Sequence, residues 1–246
     1  MSGTKLAACL AVSGLVGLSA TASAQPVYNW SGFYAGGHVG AVFGGGSATA
    51  TEDSADPPYN APGDSWGVDL DSGVNLGAQA GFSLQRHAWV YGVEADVDKY
   101  GFEGSAPSDL SDDTLASSEG GLAIAIRGRV GYATGRLLLF GTAGLLTVKT
   151  TVSIVDGCAD DDCGPALIDG TGSMWQNSLA FGGGVEYALA GRSRAQISLK
   201  AEWLHVAADD STSLAATDNL GDSHSWAIAT KLPSNAIRAG VNVRFP

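Results

Sequence analysis

Ile237-Arg238-Ala239-Gly240-Val241-Asn242-Val243-Arg244-Phe245 decides the fold of this chain. Ile237, Ala239, Val241, Val243 and Phe245 are apolar and alternate with Arg238, Gly240, Asn242 and Arg244. Successive side chains of a strand point to opposite faces, so the stretch reads as one apolar and one charged or small face. An amphipathic last strand ending in an aromatic is how bacterial outer-membrane barrels close their sheet. Val241, Val243 and Phe245 are therefore read as a C-terminal assembly signal, with the barrel-assembly machinery as the partner that reads it. A soluble barrel alternates too, so the rest of the chain has to discriminate.

The other end reads as a secretory signal. Lys5 is the one charge in residues 1–24, an apolar run follows from Leu6 to Leu18, and Ala22-Ser23-Ala24 supplies a small-x-small cleavage site before Gln25. The apolar run is too short to span a membrane as a helix. The expected division is a cleaved signal over 1–24 and one β-barrel over 25–246.

Composition narrows the class. Without Lys5, 12 basic residues face 25 acidic ones, a formal charge of −13. That sign disfavours a nucleic-acid partner, which needs a basic patch for its phosphates. The 35 glycines are scattered through apolar segments, which weakens any helix and suits closely approaching strands. Beyond the signal only Cys158 and Cys163 remain, and an even pair in an exported chain reads as a small disulfide loop. A metal site is the sharper alternative there, but no His or second Cys pair accompanies them.

Eight alternating segments are expected at about 30–43, 73–85, 89–98, 122–132, 137–148, 175–187, 195–206 and 237–245. Very short links at 86–88, 133–136 and 188–194 alternate with long polar connections at 44–72, 99–119, 151–174 and 207–231. Short turns on one side and long loops on the other is the outer-membrane pattern, with the long loops outside the cell. The fold class is therefore all-β: an eight-stranded antiparallel transmembrane up-and-down barrel in the cell outer membrane. The four long loops hold 20 of the 25 carboxylates. Solvation accounts for most of them; a sharper reading is a surface collecting divalent cations beside the phosphates of lipopolysaccharide. No segment has EF-hand spacing.

The other five carboxylates lie in the strands, each sharing a face with other polar groups. Glu94, Asp96 and Asp98 share one face, and Arg127 and Arg129 another; Glu186, Lys200, Glu202, Arg238 and Arg244 complete the set. Asn75, Gln79, Gln176, Gln196 and Asn242 accompany them. The opposite faces carry Trp89, Tyr91, Val93, Val97, Leu122, Ile124, Ile126, Val130, Ile197, Leu199 and Trp203. Charge facing lipid near the midplane costs about 2–4 kcal/mol per residue for Arg or Lys, so these ten groups are expected inside as lumen ion pairs. They are expected to centre on Glu94, Asp96 and Asp98 against Arg127 and Arg129. Eight strands leave an interior that side chains can fill, which predicts a largely closed lumen. The faces of 137–148 stay unassigned, because Leu137 to Phe140 are all apolar. Aromatics near strand ends (Trp30, Phe33, Tyr34, Trp89, Tyr91, Tyr132, Trp175, Tyr187, Trp203 and Phe245) are expected to form interfacial girdles.

Several segments resemble the RopB-like small outer-membrane proteins, a "porin family" within the OmpA-type barrel group. They are Trp30-Ser31-Gly32-Phe33-Tyr34-Ala35-Gly36-Gly37, Tyr91-Gly92-Val93-Glu94-Ala95-Asp96 and Arg127-Gly128-Arg129-Val130-Gly131-Tyr132. Phe140-Gly141-Thr142-Ala143-Gly144, Gly183-Gly184-Val185-Glu186-Tyr187 and Arg238-Ala239-Gly240-Val241-Asn242 complete the set, in the family's order. The resemblance implies an envelope protein of a Gram-negative cell that contacts lipopolysaccharide and outer-membrane lipids and stiffens the membrane. It carries no active site to transfer. Pro246, the Cys158–Cys163 segment and the long first loop depart from the family pattern, and no second domain is expected after the barrel.

An enzyme reading would use Asp222-Ser223-His224-Ser225, or His205. A nucleophile needs a base oriented by a third group in space, and neighbours on a strand face opposite ways. The expectation is therefore no catalysis, no cofactor and no metal. A narrow channel for small solutes is the alternative, followed by an adhesin or receptor role for the long loops.

Overall fold

The computed structural model describes residues 28–52, 65–108, 114–157, 167–192, 195–207, 210–217 and 223–245. The signal segment 1–24, Cys158, Cys163 and Pro246 lie outside the described residues, as do the side chains of 223–226.

Thirteen strands follow one another, and no helix intervenes among the described residues: β1 (Gly32–Phe43), β2 (Gly46–Glu52), β3 (Ser65–Leu70), β4 (Gly73–Arg86), β5 (Trp89–Tyr100), β6 (Glu103–Pro107) and β7 (Thr114–Thr134), then β8 (Leu137–Gly157), β9 (Leu167–Arg192), β10 (Ala195–Ala207), β11 (Asp210–Thr217), β12 (Ser223–Lys231) and β13 (Asn235–Phe245). Eight of them, β1, β4, β5, β7, β8, β9, β10 and β13, close into an antiparallel barrel. The first and last pair directly, Phe33 opposite Phe245 and Phe43 opposite Asn235. A walk across neighbours from Gly32 passes Ser83, Gly92, Arg129, Thr142, Gly182, Leu204 and Ala236. It returns to β1 at Val42, ten residues further along. That stagger tilts the strands steeply against the barrel axis. It also sets residues distant in sequence at one depth.

The turn at Arg86-His87-Ala88 places His87 at φ 57, and Gly135 takes φ 59 in the next short turn. At the opposite end the chain builds far more sheet than the alternation alone suggests. β7, β8 and β9 run on past the membrane band, with β6 beside β7. Residues 44–72 and 207–231, expected as loops, contribute a second sheet in the order β11-β12-β2-β3. Ser/Thr-rich segments such as Thr150-Thr151-Val152-Ser153 read as polar loop, but in water above a membrane they suit a strand wet on one face. A register shift between Gly120 and Ala123 interrupts the alternation on β7, which is why the period is legible only from Leu122.

The outer wall is apolar. Ile126 is 67 % exposed and Leu145 is 63 % exposed, beside Val93, Leu76, Leu179 and Ile237. On β9, Tyr187 and Trp175 both face outward, twelve residues apart. At about 3.3 Å per residue and a tilt near 45° they stand roughly 28 Å apart, matching the apolar band of such barrels. Phe33, Trp89, Tyr91, Tyr132, Trp203 and Phe245 also face outward. Trp30 and Tyr34 do not: both are buried inside the barrel, so they leave the expected girdle. The ambiguous strand resolves too: Leu137, Leu139, Gly141, Ala143 and Leu145 look outward or half-outward, whereas Leu138, Phe140, Thr142 and Leu146 look inward.

Candidate functional site

The interior has three levels. Trp30, Val90, Leu138 and Ala188 pack together at the end with the short turns. A charged middle follows. Above it Val42, Leu146, Val148, Leu204, Tyr100 and Phe102 form an apolar core, continuous with Trp66, Val68 and Ile228 of the second sheet. Strand alternation places charge in the lumen but does not by itself predict this upper apolar level. Ala123, Ala125, Leu146 and Val148 are the signal that marks it, apolar residues at inward positions where the lower strands carry charge.

All ten charged residues singled out in the strands are buried in the middle level. Arg127 is its hub. Its guanidinium lies 2.8 Å from Glu94, 2.8 Å from Asp96 and 2.8 Å from Glu202. Lys200 reaches Glu94 at 2.9 Å, and Arg238 reaches Glu202 at 2.6 Å. Asp98 meets neither Arg127 nor Arg129; it lies 2.5 Å from His38 Nε2 and 3.4 Å from Arg238. Arg129 turns away from the hub to Glu186 at 2.5 Å, keeping Glu94 at 3.7 Å, and its guanidinium carbon sits 3.7 Å over the Phe140 ring. Glu186 also accepts from Ser198 (2.6 Å) and Asn242 (3.2 Å), and Arg244 stands 3.6 Å away. Tyr34 donates to Glu94 at 2.8 Å, and Gln79 donates to Asn242 at 2.6 Å. Asn75 donates to Asp98 at 3.1 Å, whereas Gln176 reaches the Thr230 carbonyl oxygen at 3.4 Å in the upper level. Gln196 is half-buried opposite Arg244.

Register explains part of this. Glu94 lies directly across from Arg127, and Glu202 across from Arg238. Cross-strand neighbours of opposite charge stabilise each other. The remaining contacts cross the lumen and depend on closure. Glycine makes room: Gly77 lies on the inner face between His38 and Asp98, and a Cβ there would run into both side chains. Gly77→Val is expected to push this pair apart and cost about 1–3 kcal/mol, read as a lower denaturation midpoint of the folded barrel.

His38, Asp96 and Asp98 could converge on a cation. Arg238 already occupies that corner, 3.2 Å from His38 and 3.5 Å from Asp96. A fixed guanidinium repels a metal ion, so the group reads as part of the ion-pair network. His205 contacts Phe181 and Trp203 through its ring and lies 3.3 Å from Asn235, with no nucleophile among those partners.

A closed antiparallel barrel with an apolar outer band, polar ends and a charged interior defines a transmembrane barrel of the outer membrane. The model of the family described as "Outer membrane protein beta-barrel domain" matches residues 9–245, and the chain belongs to that family. The outer membrane is its location. Among solved structures the chain is similar to the outer membrane protein OprG from Pseudomonas aeruginosa, with a TM-score of 0.53 and 13% identity. That match covers 89% of this chain and 98% of OprG. It is also similar to the outer membrane protease OmpT from Escherichia coli (TM-score 0.45, 11% identity, 87% and 97% covered). Ail, the attachment invasion locus protein of Yersinia pestis, has a TM-score of 0.37 at 13% identity, with 87% and 98% covered. No curated protein matches the sequence.

Proposed function

We propose that this protein is a structural, non-enzymatic barrel of the RopB-like kind that supports the envelope, contacts lipopolysaccharide, and keeps its lumen closed by paired charge. The observation that carries this reading is the continuous chain of ion pairs from Asp98 through Arg238, Glu202, Arg127 and Glu94 to Arg129 and Glu186. Five carboxylates and five cations, all buried, fill the middle of a barrel whose interior is only wide enough for side chains. The outer surface supports the lipopolysaccharide contact. Lys149 faces Trp175 across β8 and β9, and beyond them Ser105, Ser117, Ser153 and Thr171 form a row across four strands. Asp69, Asp71, Glu103 and Glu119 line the same recess as these hydroxyls, a set that suits the sugars of a glycolipid directly and its phosphates through bridging divalent cations. The outward Val241 and Phe245, with half-buried Val243, are the proposed contact for the barrel-assembly machinery.

Planar-bilayer recording on refolded protein tests the closed lumen. Near-baseline conductance is expected, and currents at the level of a general porin would promote the channel alternative. Protease accessibility on intact cells tests the orientation: cleavage is expected within 44–72 and 151–174, and labelling confined to 86–88 or 134–136 would invert the topology.

A further inference from the structure

The Trp30-Ser31-Gly32-Phe33-Tyr34 segment does more than begin a strand. Trp30 is 0 % exposed and packs on Val90, Leu138 and Ala188, with Tyr28 and Ala133 against the same cluster. These partners adjoin the short connections, so the indole sits inside the mouth that faces the periplasm. Gly32 has φ 118, a conformation that L side chains rarely adopt, and this is where the chain turns from the wall into the lumen. The strap before it makes no ladder. It is held by Gln85, whose side chain accepts from Trp30 N at 2.7 Å and whose N–H donates to Ser31 Oγ at 2.9 Å. Arg244 donates to the Trp30 carbonyl oxygen at 2.6 Å and lies 5.5 Å from the Trp30 ring. Few bonds, a glycine hinge and one large apolar body are the parts of a removable plug.

We propose that residues 28–31 form a stopper seated in the periplasmic mouth, hinged at Gly32, that withdraws as a unit and controls water entry to the Glu186–Arg129–Arg244 end of the network. The proposal rests on the closed-lumen reading and assigns its periplasmic seal. It also gives the segment a physical meaning: Trp30 is the stopper, Gly32 the hinge, and Tyr34 the fixed seat, with Arg244 4.6 Å from its ring.

The test uses the exported protein in lipid vesicles, with Cys158 and Cys163 replaced by Ser and Ala188→Cys as a reporter beneath the indole. A small charged methanethiosulfonate is expected to react slowly with this cysteine. Adding Trp30→Ala should raise the rate at least about tenfold, whereas Trp30→Phe should keep it within about threefold, as expected for local opening of a plug. Fast labelling with Trp30 in place, or no change on its removal in a folded barrel, overturns the stopper. If Trp30→Ala does not fold, Gly32→Val takes its place: strain at the hinge should give the same acceleration, and its absence overturns the proposal equally. Conductance on the same vesicles separates the two readings. Porin-level current with Trp30 in place overturns both readings, whereas near-baseline current that rises to porin level only on Trp30→Ala keeps the stopper and removes the closed lumen above it.

Discussion

Arg127→Ala is expected to give the largest loss of stability of any single change in this barrel. Three carboxylates, Glu94, Asp96 and Glu202, stand at 2.8 Å from that one guanidinium, and all are buried. Truncation leaves them facing each other with Lys200, Arg238 and, 3.7 Å from Glu94, Arg129 as the remaining cations nearby. Breaking one side of a buried pair costs about 3–5 kcal/mol, and less where water enters the cavity left behind. The urea midpoint of the refolded barrel should fall accordingly, and small-cation conductance should rise from almost nothing. Arg127→Lys should recover only part of the loss, because a point-like ammonium cannot hold three carboxylates in the fork geometry of a guanidinium. A midpoint within experimental error of the wild type would show that the network is solvated in the membrane and would sink the closed-lumen reading. Replacing Arg129 as well extends the effect to Glu186, whose 2.5 Å partner is then lost.

Ile126→Lys should cost almost as much for the opposite reason. Ile126 is the neighbour of Arg127 and lies directly across from Leu145, both turned fully to the outside. A lysine in the middle of the apolar band costs about 2–4 kcal/mol, falling towards zero near the interfaces. The same substitution at Tyr132, in the lower aromatic belt, is therefore expected to be milder. Free energies of refolding into vesicles measure both. Equal effects at 126 and 132 would place the apolar band elsewhere on the wall.

The sequence by itself determined which residues of the charge-bearing strands β5, β7, β9, β10 and β13 face lipid and which face the lumen. Strand alternation is a local property, and no lipid-facing position near the middle of a strand can hold a charge such as that of Glu94 or Arg127 without a large cost. The strand count and the sorting of short and long connections were legible for the same reason. The tertiary structure alone decided the partners. Asp98 shares a strand face with Glu94 and Asp96, yet meets His38 and Arg238, while Arg129 meets Glu186. Those pairings follow from a ten-residue stagger around the closed wall, which no single strand encodes. Closure likewise decided that Leu138 points inward and Leu139 outward, since an all-apolar run has no period to read. It turned Trp30 and Tyr34 away from the interface, because Arg244 offers their rings a buried cation and Gly32 lets the chain bend to reach it. The upper apolar level and the second sheet were illegible because polar strands in water and polar loops have the same composition. Only the apolar faces of β2, β3 and β12, which need a partner to cover them, distinguish the two.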